Sequence, residues 1–431
     1  PEKARLIYKT SQAILLLSGI IAGVLLFVFS EKIAAGIFNN AELTYFLKIF
    51  AIVIPINIIL DLHLSVILSF EKIGWHSFIY NVLQNFVRVA GLGILILIGF
   101  KVNAILFSYL ISVAVALAVA YFVSVKIAKH LSNKFINKKE KRSILKEVFS
   151  YSWPLLFFGF TWQLFHWTDS LMIGYLQNTE QVGFYNAAVP IATLFNFTSA
   201  LFIQLFFPMV IKKYAKSRSI SVIKQLSQQI GKWIFIINLP ILMLFSIFPE
   251  FFINLLFGEQ YLPAVNSLRI LLIGTFANSI FIISDRLITM LGKTKIILAD
   301  IIIIAVINAG LNYFLILKYG IAGDSLATSI SFVILNAIFI YQARKYTSII
   351  PIRRKMINIF LAGVISGGIV YLLKNLLGTG SISTIMLIIL LGLLYVIMVL
   401  ILKGFDKNDL MIIKSVKNKM FRKQFFQKDN R

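Results

Sequence analysis

The stretch NVLQNFVRVAGLGILILIGF (residues 81–100) is apolar enough to lie in hydrocarbon, yet Arg88 puts a permanent cation near its centre. Counted from Ser77 at 1.5 Å per helical residue, Arg88 lies roughly 16 Å deep, near the midplane of a hydrocarbon core about 30 Å thick. Holding it there costs on the order of 2.5–3.5 kcal/mol even on a lenient insertion scale. Two arrangements offset that cost. One is a wet cavity in which the planar guanidinium fork grips a phosphate bidentately; the other is a structural pair with an aspartate of a neighbouring helix.

Three more cations fall in or at the ends of apolar runs: Lys48, Arg269 and Arg286. Lys48 and Arg269 lie near the ends of theirs and can also snorkel to the interface. Arg88, Lys48, Arg269 and Arg286 are the candidates for contacting an anionic headgroup. Asp169, Asp61 and Asp285 are the candidates for holding a coupling ion, H⁺ or Na⁺, or for acting as counter-ions to the arginines. His166 sits one turn before Asp169, whereas His63 does not share a face with Asp61. Asp285 and Arg286 project about 100° apart on a helix, so each is expected to engage a different neighbour. Asp300 and Asp324 fall near helix ends and read as interfacial.

None of these residues forms a catalytic set. Cys is absent, which removes disulfides and thiol chemistry. The four His (63, 76, 130 and 166) lack ligand spacing, so no metal site is expected. There is no GxxxxGK[ST] phosphate loop. The connections 31–44, 177–184, 258–263 and 378–382 are too short to carry the acid/base groups of a membrane-bound enzyme. An enzyme is therefore not expected, and no cofactor beyond a coupling ion.

The elements that must position the charges are apolar helices. Hydrophobic residues make up 59% of the 431 and charged residues only 14%, where a soluble domain carries about a quarter. Spans are predicted at 11–30, 45–69, 77–99, 103–125, 150–176, 185–210, 231–257, 264–291, 296–318, 321–342, 356–377 and 383–403, so the fold class is an all-α polytopic membrane protein with twelve transmembrane helices. The net charge of +25 would suggest nucleic acid in a soluble protein, but its distribution says otherwise. Of the 42 Lys+Arg, 34 fall in alternate connections and the two ends and five on the opposite side. That bias predicts both ends of the chain in the cytoplasm and attraction to anionic inner-leaflet lipid, not nucleic acid.

An internal repeat is also legible. LKIFAIVIPINIIL (47–60) aligns with LRILLIGTFANSIF (268–281), pairing Lys48 with Arg269 and Asn57 with Asn278 at an offset of 221. At an offset of 219, Glu31 meets Glu250, Ala90-Gly91-Leu92 meets Ala309-Gly310-Leu311, and Ile111-Ser112 meets Ile330-Ser331. The expectation is two pseudo-symmetric lobes around a central cavity, in parallel orientation. They are read as 1–125, lacking its first two helices, and 148–343, with a basic cytoplasmic linker at 126–147 and two extra helices plus a basic tail at 344–431. By this logic two helices precede Pro1, giving fourteen. The tail 410–426 reads either as an interfacial helix or as a solvated end. The aromatic-rich stretch 149–167 reads as lipid-facing packing.

The stretch DSLMIGYLQNTEQVGFYNAAVP (169–190) resembles the seventh and eighth helices of polysaccharide-unit (O-antigen-type, lipid-linked oligosaccharide) flippases, a family of the multidrug/oligosaccharidyl-lipid/polysaccharide exporter superfamily. FGEQYLPAVNSLRIL (257–271) is similar to the run before that family's tenth helix, and GKTK (292–295) falls at its short cytoplasmic turn. The resemblance implies a cell-membrane transporter that flips a polyprenyl-(pyro)phosphate-linked oligosaccharide by alternating access. It also implies membrane lipids and the polymerase or glycosyltransferases of the same pathway as partners. The alternatives are an organic-cation antiporter of the same fold and a non-transporting scaffold of a glycan assembly complex.

Overall fold

Hydrocarbon offers no hydrogen bonds, so each backbone N–H and C=O of a long apolar run must be satisfied within the run, which makes it a helix. The computed structural model describes residues 2–128, 163, 167–203, 220–378, 380–406 and 409, and no strand occurs among them. Among the described residues, eleven helices are long and apolar enough to cross a membrane. They coincide with eleven of the twelve expected spans. Most of the span expected at 150–176 lies outside the described residues, as do His166, most of the stretch 149–167, the linker beyond residue 128 and the tail from 410. The chain is a multi-pass, all-α membrane protein.

Contacts divide the chain into two compact units, Pro1–Leu164 and Phe165–Arg431. The first contains α1 (Glu2–Gly36), α2 (Leu43–Ser69), α3 (Ile73–Leu97) and α4 (Asn103–Ala128). Val53, Leu60, Leu64 and Ile67 of α2 pack with Ile79 of α3 and with Val113, Ala116 and Ala120 of α4. The small alanines let α4 approach closely. Helix α3 is not uniform: Phe78–Leu83 form a π-helical turn shortly before Arg88, a local widening frequent at functional sites.

The second unit contains α5 (167–176), α6 (Thr179–Ile203), α7 (Ile220–Ile247), α8 (Pro249–Phe257), α9 (Val265–Met290), α10 (Thr294–Tyr319), α11 (Ile321–Thr347), α12 (Met356–Leu377) and α13 (Ser381–Ile401). The single span expected at 231–257 is broken at Phe248. Pro249 disfavours helical geometry in the residue before it and supplies no N–H, so the chain restarts there as α8. The carbonyl of Ile247 accepts a hydrogen bond from Lys374 Nζ of α12 at 2.6 Å. Helix α9 is the core element, burying Leu268, Leu271 and Leu272 against Phe195 and Ile191 of α6. Helices α10 and α11 form a hairpin that turns on Gly320, whose φ is +58°. A Cβ at Gly323 would lie 2.0 Å from the Leu315 carbonyl oxygen. Only glycine permits that approach, which brings the polar residues of the two helices together.

Helices α12 and α13 dock on α7. Tyr395 donates to the Ile236 carbonyl at 2.8 Å. At the other end of α12, a charge cluster that sequence reading missed ties three segments together. Lys232 of α7 is fully buried; its Nζ lies 3.0 Å from Asp406 Oδ2 and also pairs with Asp409. Asp406 takes Arg353 at 3.1 Å and Lys355 at 2.9 Å as well. Gln229 bridges the cluster, donating to Asp409 and accepting from Arg353. Burial pushes the Asp406 carboxyl up. Hydrogen bonds from Lys355 and Lys232, with the charges of Lys232 and Arg353, outweigh burial and hold it below its ordinary value.

A carboxyl lowered in the folded state contributes stability that is present above the unfolded value, about 3.9, and is lost as pH falls through the folded one. The melting temperature in detergent is therefore expected to stay level from neutral pH to about 5 and to fall below about 4. Lys232→Met is expected to cost about 3–5 kcal/mol, because it strands the buried Asp409. The double variant Lys232→Met/Asp409→Leu recovers much of that loss. A wild-type melt for Lys232→Met would show that the cluster contributes nothing.

Candidate functional site

With no water to dilute it, a charge inside the bundle is either paired or available for something else. The candidate cations divide on that criterion. Lys48 Nζ lies 2.9 Å from Glu31 Oε1, and Arg269 lies 2.7 Å from Glu250 Oε1. Glu31 and Glu250 are themselves repeat equivalents, so each unit carries the same ion pair at the corresponding place. Lys374 also approaches Glu250, at 3.7 Å. Arg286 Nε lies 3.4 Å from Asp285 Oδ1. This corrects the expectation that these two engage different neighbours: the long arginine side chain folds back across the 100° between them.

Arg88 is different. Its guanidinium sits 4.9 Å above the centre of the Tyr109 ring of α4, and its Nε is buried with no hydrogen-bond partner. Among the described residues no carboxylate pairs with it, Asp61 included, which is exposed on α2. The aromatic face contributes up to about 2 kcal/mol to a desolvated cation and leaves the net charge in place. Tyr109 is itself held: Asn57 Nδ2 of α2 donates to its hydroxyl at 3.1 Å, and Phe50 packs on its ring at 5.9 Å. A half-buried, uncompensated arginine on an aromatic platform suits an oxyanion better than a structural pair.

The acids converge elsewhere, within the second unit. Asp169 of α5 accepts from Tyr185 of α6 at 2.8 Å, from Asn312 of α10 at 2.9 Å and from Thr328 of α11 at 2.9 Å. Asn308 accepts from Asn312 at 3.3 Å and donates to Thr328 at 3.2 Å. The expectation that Asp324 is interfacial is corrected: its side chain has no exposed surface. Tyr185 interacts with both carboxylates, but its single proton goes to Asp169. Both oxygens of Asp324 and Oδ1 of Asn312 are buried without a hydrogen-bond donor. Three orphan oxygens cost several kcal/mol together, a cost that a proton or a small cation removes. Asp300 is likewise buried, and accepts from Gln342 at 2.7 Å.

Sequence reading found Asp169, named Asp324 only as interfacial, and missed Tyr185, Asn308, Asn312 and Thr328. A usable signal was present: Asn308 and Asn312 are one helical turn apart, as are Asp324 and Thr328, on either side of the turn at Gly320. Among the described residues no three acidic or His side chains converge as a metal site.

A family model described as "Polysaccharide biosynthesis protein" matches residues 3–266. The chain is 24% identical over 349 residues to a probable low-salt glycan biosynthesis flippase, Agl15, of Haloferax volcanii, covering 80% of this chain and 72% of that one. It is 25% identical over 357 residues to a putative O-antigen transporter of Shigella flexneri, covering 79% of each. Among solved structures, an inward-facing multidrug resistance MATE-family transporter of the MOP superfamily matches with a TM-score of 0.58 at 13% identity, covering 80% of this chain and 87% of that one. A match at that identity is one of fold alone. With more than half of its length matched by one family model, this chain belongs to the polysaccharide biosynthesis protein family.

Proposed function

We propose that this protein is a flippase that moves polyprenyl-(pyro)phosphate-linked oligosaccharide units across the cytoplasmic membrane by alternating access, for assembly of a cell-surface polysaccharide or glycan. The observation that carries the reading is Arg88, a span arginine with no counter-charge among the described residues. An anionic headgroup supplies what it lacks. The relatives named as a glycan biosynthesis flippase and an O-antigen transporter point to the same substrate class. The bias of Lys and Arg supports cytoplasmic placement of both chain ends. Polymerase or glycosyltransferases of the same pathway are the expected partners.

The Asp169 cluster is assigned the coupling ion, H⁺ or Na⁺. Both oxygens of Asp324 and Oδ1 of Asn312, buried and short of donors, with Asp169 bonded to Asn312 beside them, suit a small ion. The enclosure of Asp324 counts against an organic cation at that point. The antiporter alternative is therefore the weaker one. A scaffold has no use for either arrangement.

The first test is flipping of a fluorescent polyprenyl-pyrophosphate oligosaccharide in proteoliposomes. Arg88→Ala is expected to slow it at least tenfold with insertion unchanged, in keeping with loss of a charge-assisted contact. Equal rates would remove the headgroup role, and wild-type protein that exports an organic cation but not the lipid would favour the antiporter. The second test imposes Na⁺ and pH gradients separately. One of them is expected to accelerate wild-type flipping, and the same ion should raise its melting temperature by mass action. Asp324→Asn is expected to lose both responses. A wild type indifferent to both gradients would mean that the cluster is only structural.

A further inference from the structure

The hydrogen bond from Asn57 to Tyr109 decides what Tyr109 can do. A phenol hydroxyl has one proton to donate and lone pairs to accept with. Asn57 Nδ2, at 3.1 Å, occupies the oxygen as an acceptor. An amide N–H aimed at the phenol oxygen directs the hydroxyl's own proton away from Asn57. No described residue receives that proton. Tyr109 is half-buried, and the guanidinium of Arg88 lies 4.9 Å from its ring centre. The hydroxyl thus sits beside an uncompensated cation with its donor unspent.

We infer that Tyr109 is a substrate-contacting residue as well as a platform: its hydroxyl, oriented by Asn57, donates to an oxygen of the same anionic group that Arg88 holds. This rests on the headgroup reading of Arg88. The ligand chemistry is that of a phosphate or pyrophosphate ester. A guanidinium alone attracts any anion, a free carboxylate included. A guanidinium and a neutral O–H on adjoining helices favour an anion with several oxygens in different directions, such as a tetrahedral phosphate. Asn57 is a positioning residue that acts through Tyr109. The π-helical turn at Phe78–Leu83 belongs to the same arrangement. It shifts the helical register upstream of Arg88, and so helps set which face of α3 the arginine occupies.

The sequence repeat sharpens the assignment. At the offset of 219 that aligns Ile111-Ser112 with Ile330-Ser331, Tyr109 corresponds to Thr328, and Arg88 to Ile307, next to Asn308. In the second unit Asn308 and Thr328 serve the Asp169 cluster. In the first unit Tyr109 stands at the Thr328 position and Val89 at the Asn308 position, with Arg88 the residue before Val89. Corresponding stretches of the two repeats thus carry a cation and an aromatic donor in the first and an acidic, oxygen-rich set in the second.

The test uses the full chain in proteoliposomes with the fluorescent polyprenyl-pyrophosphate oligosaccharide, measuring half-saturating lipid and limiting rate separately. Tyr109→Phe keeps the ring under Arg88 and removes only the O–H. It is expected to raise the half-saturating concentration about tenfold, the size of one hydrogen bond to a charged acceptor, with limiting rate and melting temperature unchanged. Asn57→Leu is expected to raise it a few-fold, since the hydroxyl survives but loses its orientation. An analogue with an uncharged headgroup should not distinguish the variants from wild type. Wild-type half-saturation in Tyr109→Phe, with Arg88→Ala defective, would overturn this inference and leave the headgroup reading standing. A wild-type Arg88→Ala would overturn both. Should Tyr109→Phe fail to fold, Asn57→Leu decides alone: unchanged half-saturation overturns the inference.

Discussion

A charge inside a bilayer has no solvent to spread into, so the protein must supply either an opposite charge or a use for the one it keeps. This constraint sorts the charged residues of the chain. Glu31 with Lys48 and Glu250 with Arg269 are paired at corresponding places in the two units. Asp285 is beside Arg286, and Lys232 is locked to Asp406 and Asp409. The Glu31, Glu250 and Lys232 pairs tie separate helices or segments together, while Asp285 and Arg286 offset each other's charge within one helix. Arg88 lacks such a partner among the described residues, and Asp324 has neither of its oxygens satisfied. Those two residues are the ones the proposed function employs.

Arg88 and Asp324 carry opposite signs and lie in different units. The first unit offers a cation on an aromatic face, suited to a phosphate. The second offers the buried Asp324 carboxylate and the Asn312 amide oxygen near Asp169, suited to a proton or a small cation. At the sequence offset of 219, Tyr109 of α4 aligns with Thr328 of α11, and Arg88 of α3 with Ile307 of α10. In the second unit the Gly320 turn and the close approach at Gly323 fix the hairpin tightly enough for Asn308, Asn312 and Thr328 to share hydrogen bonds.

Much of this was legible in the sequence. Apolar runs and the distribution of Lys and Arg gave the spans, since length and hydropathy are local properties of the chain. Arg88 stood out because an arginine in the middle of a span is costly wherever it points. The repeat matched Glu31 with Glu250 and Lys48 with Arg269 without showing that the matched residues touch. Asp324 was misjudged because proximity to a helix end suggests the interface, whereas its side chain is fully buried close to Asp169 and Tyr185. Lys232 was hidden among the basic residues at its end of the bundle, since its burial depends on Asp406 and Asp409, more than 170 residues away. The break at Phe248 was signalled by Pro249, but proline is common enough in membrane helices that the signal was not decisive. Local patterns gave the elements; the partners of each charge depended on contacts distant in sequence.

The most direct test of the account is where the headgroup touches the chain. A polyprenyl-pyrophosphate oligosaccharide with a photoactivatable group next to its phosphates would be cross-linked to the full protein in liposomes, and the adducts mapped by mass spectrometry. The account predicts adducts on the peptides that contain Arg88 and Tyr109, suppressed by excess unlabelled lipid. Labelling confined to the basic connections, with none at Arg88 or Tyr109, would contradict it.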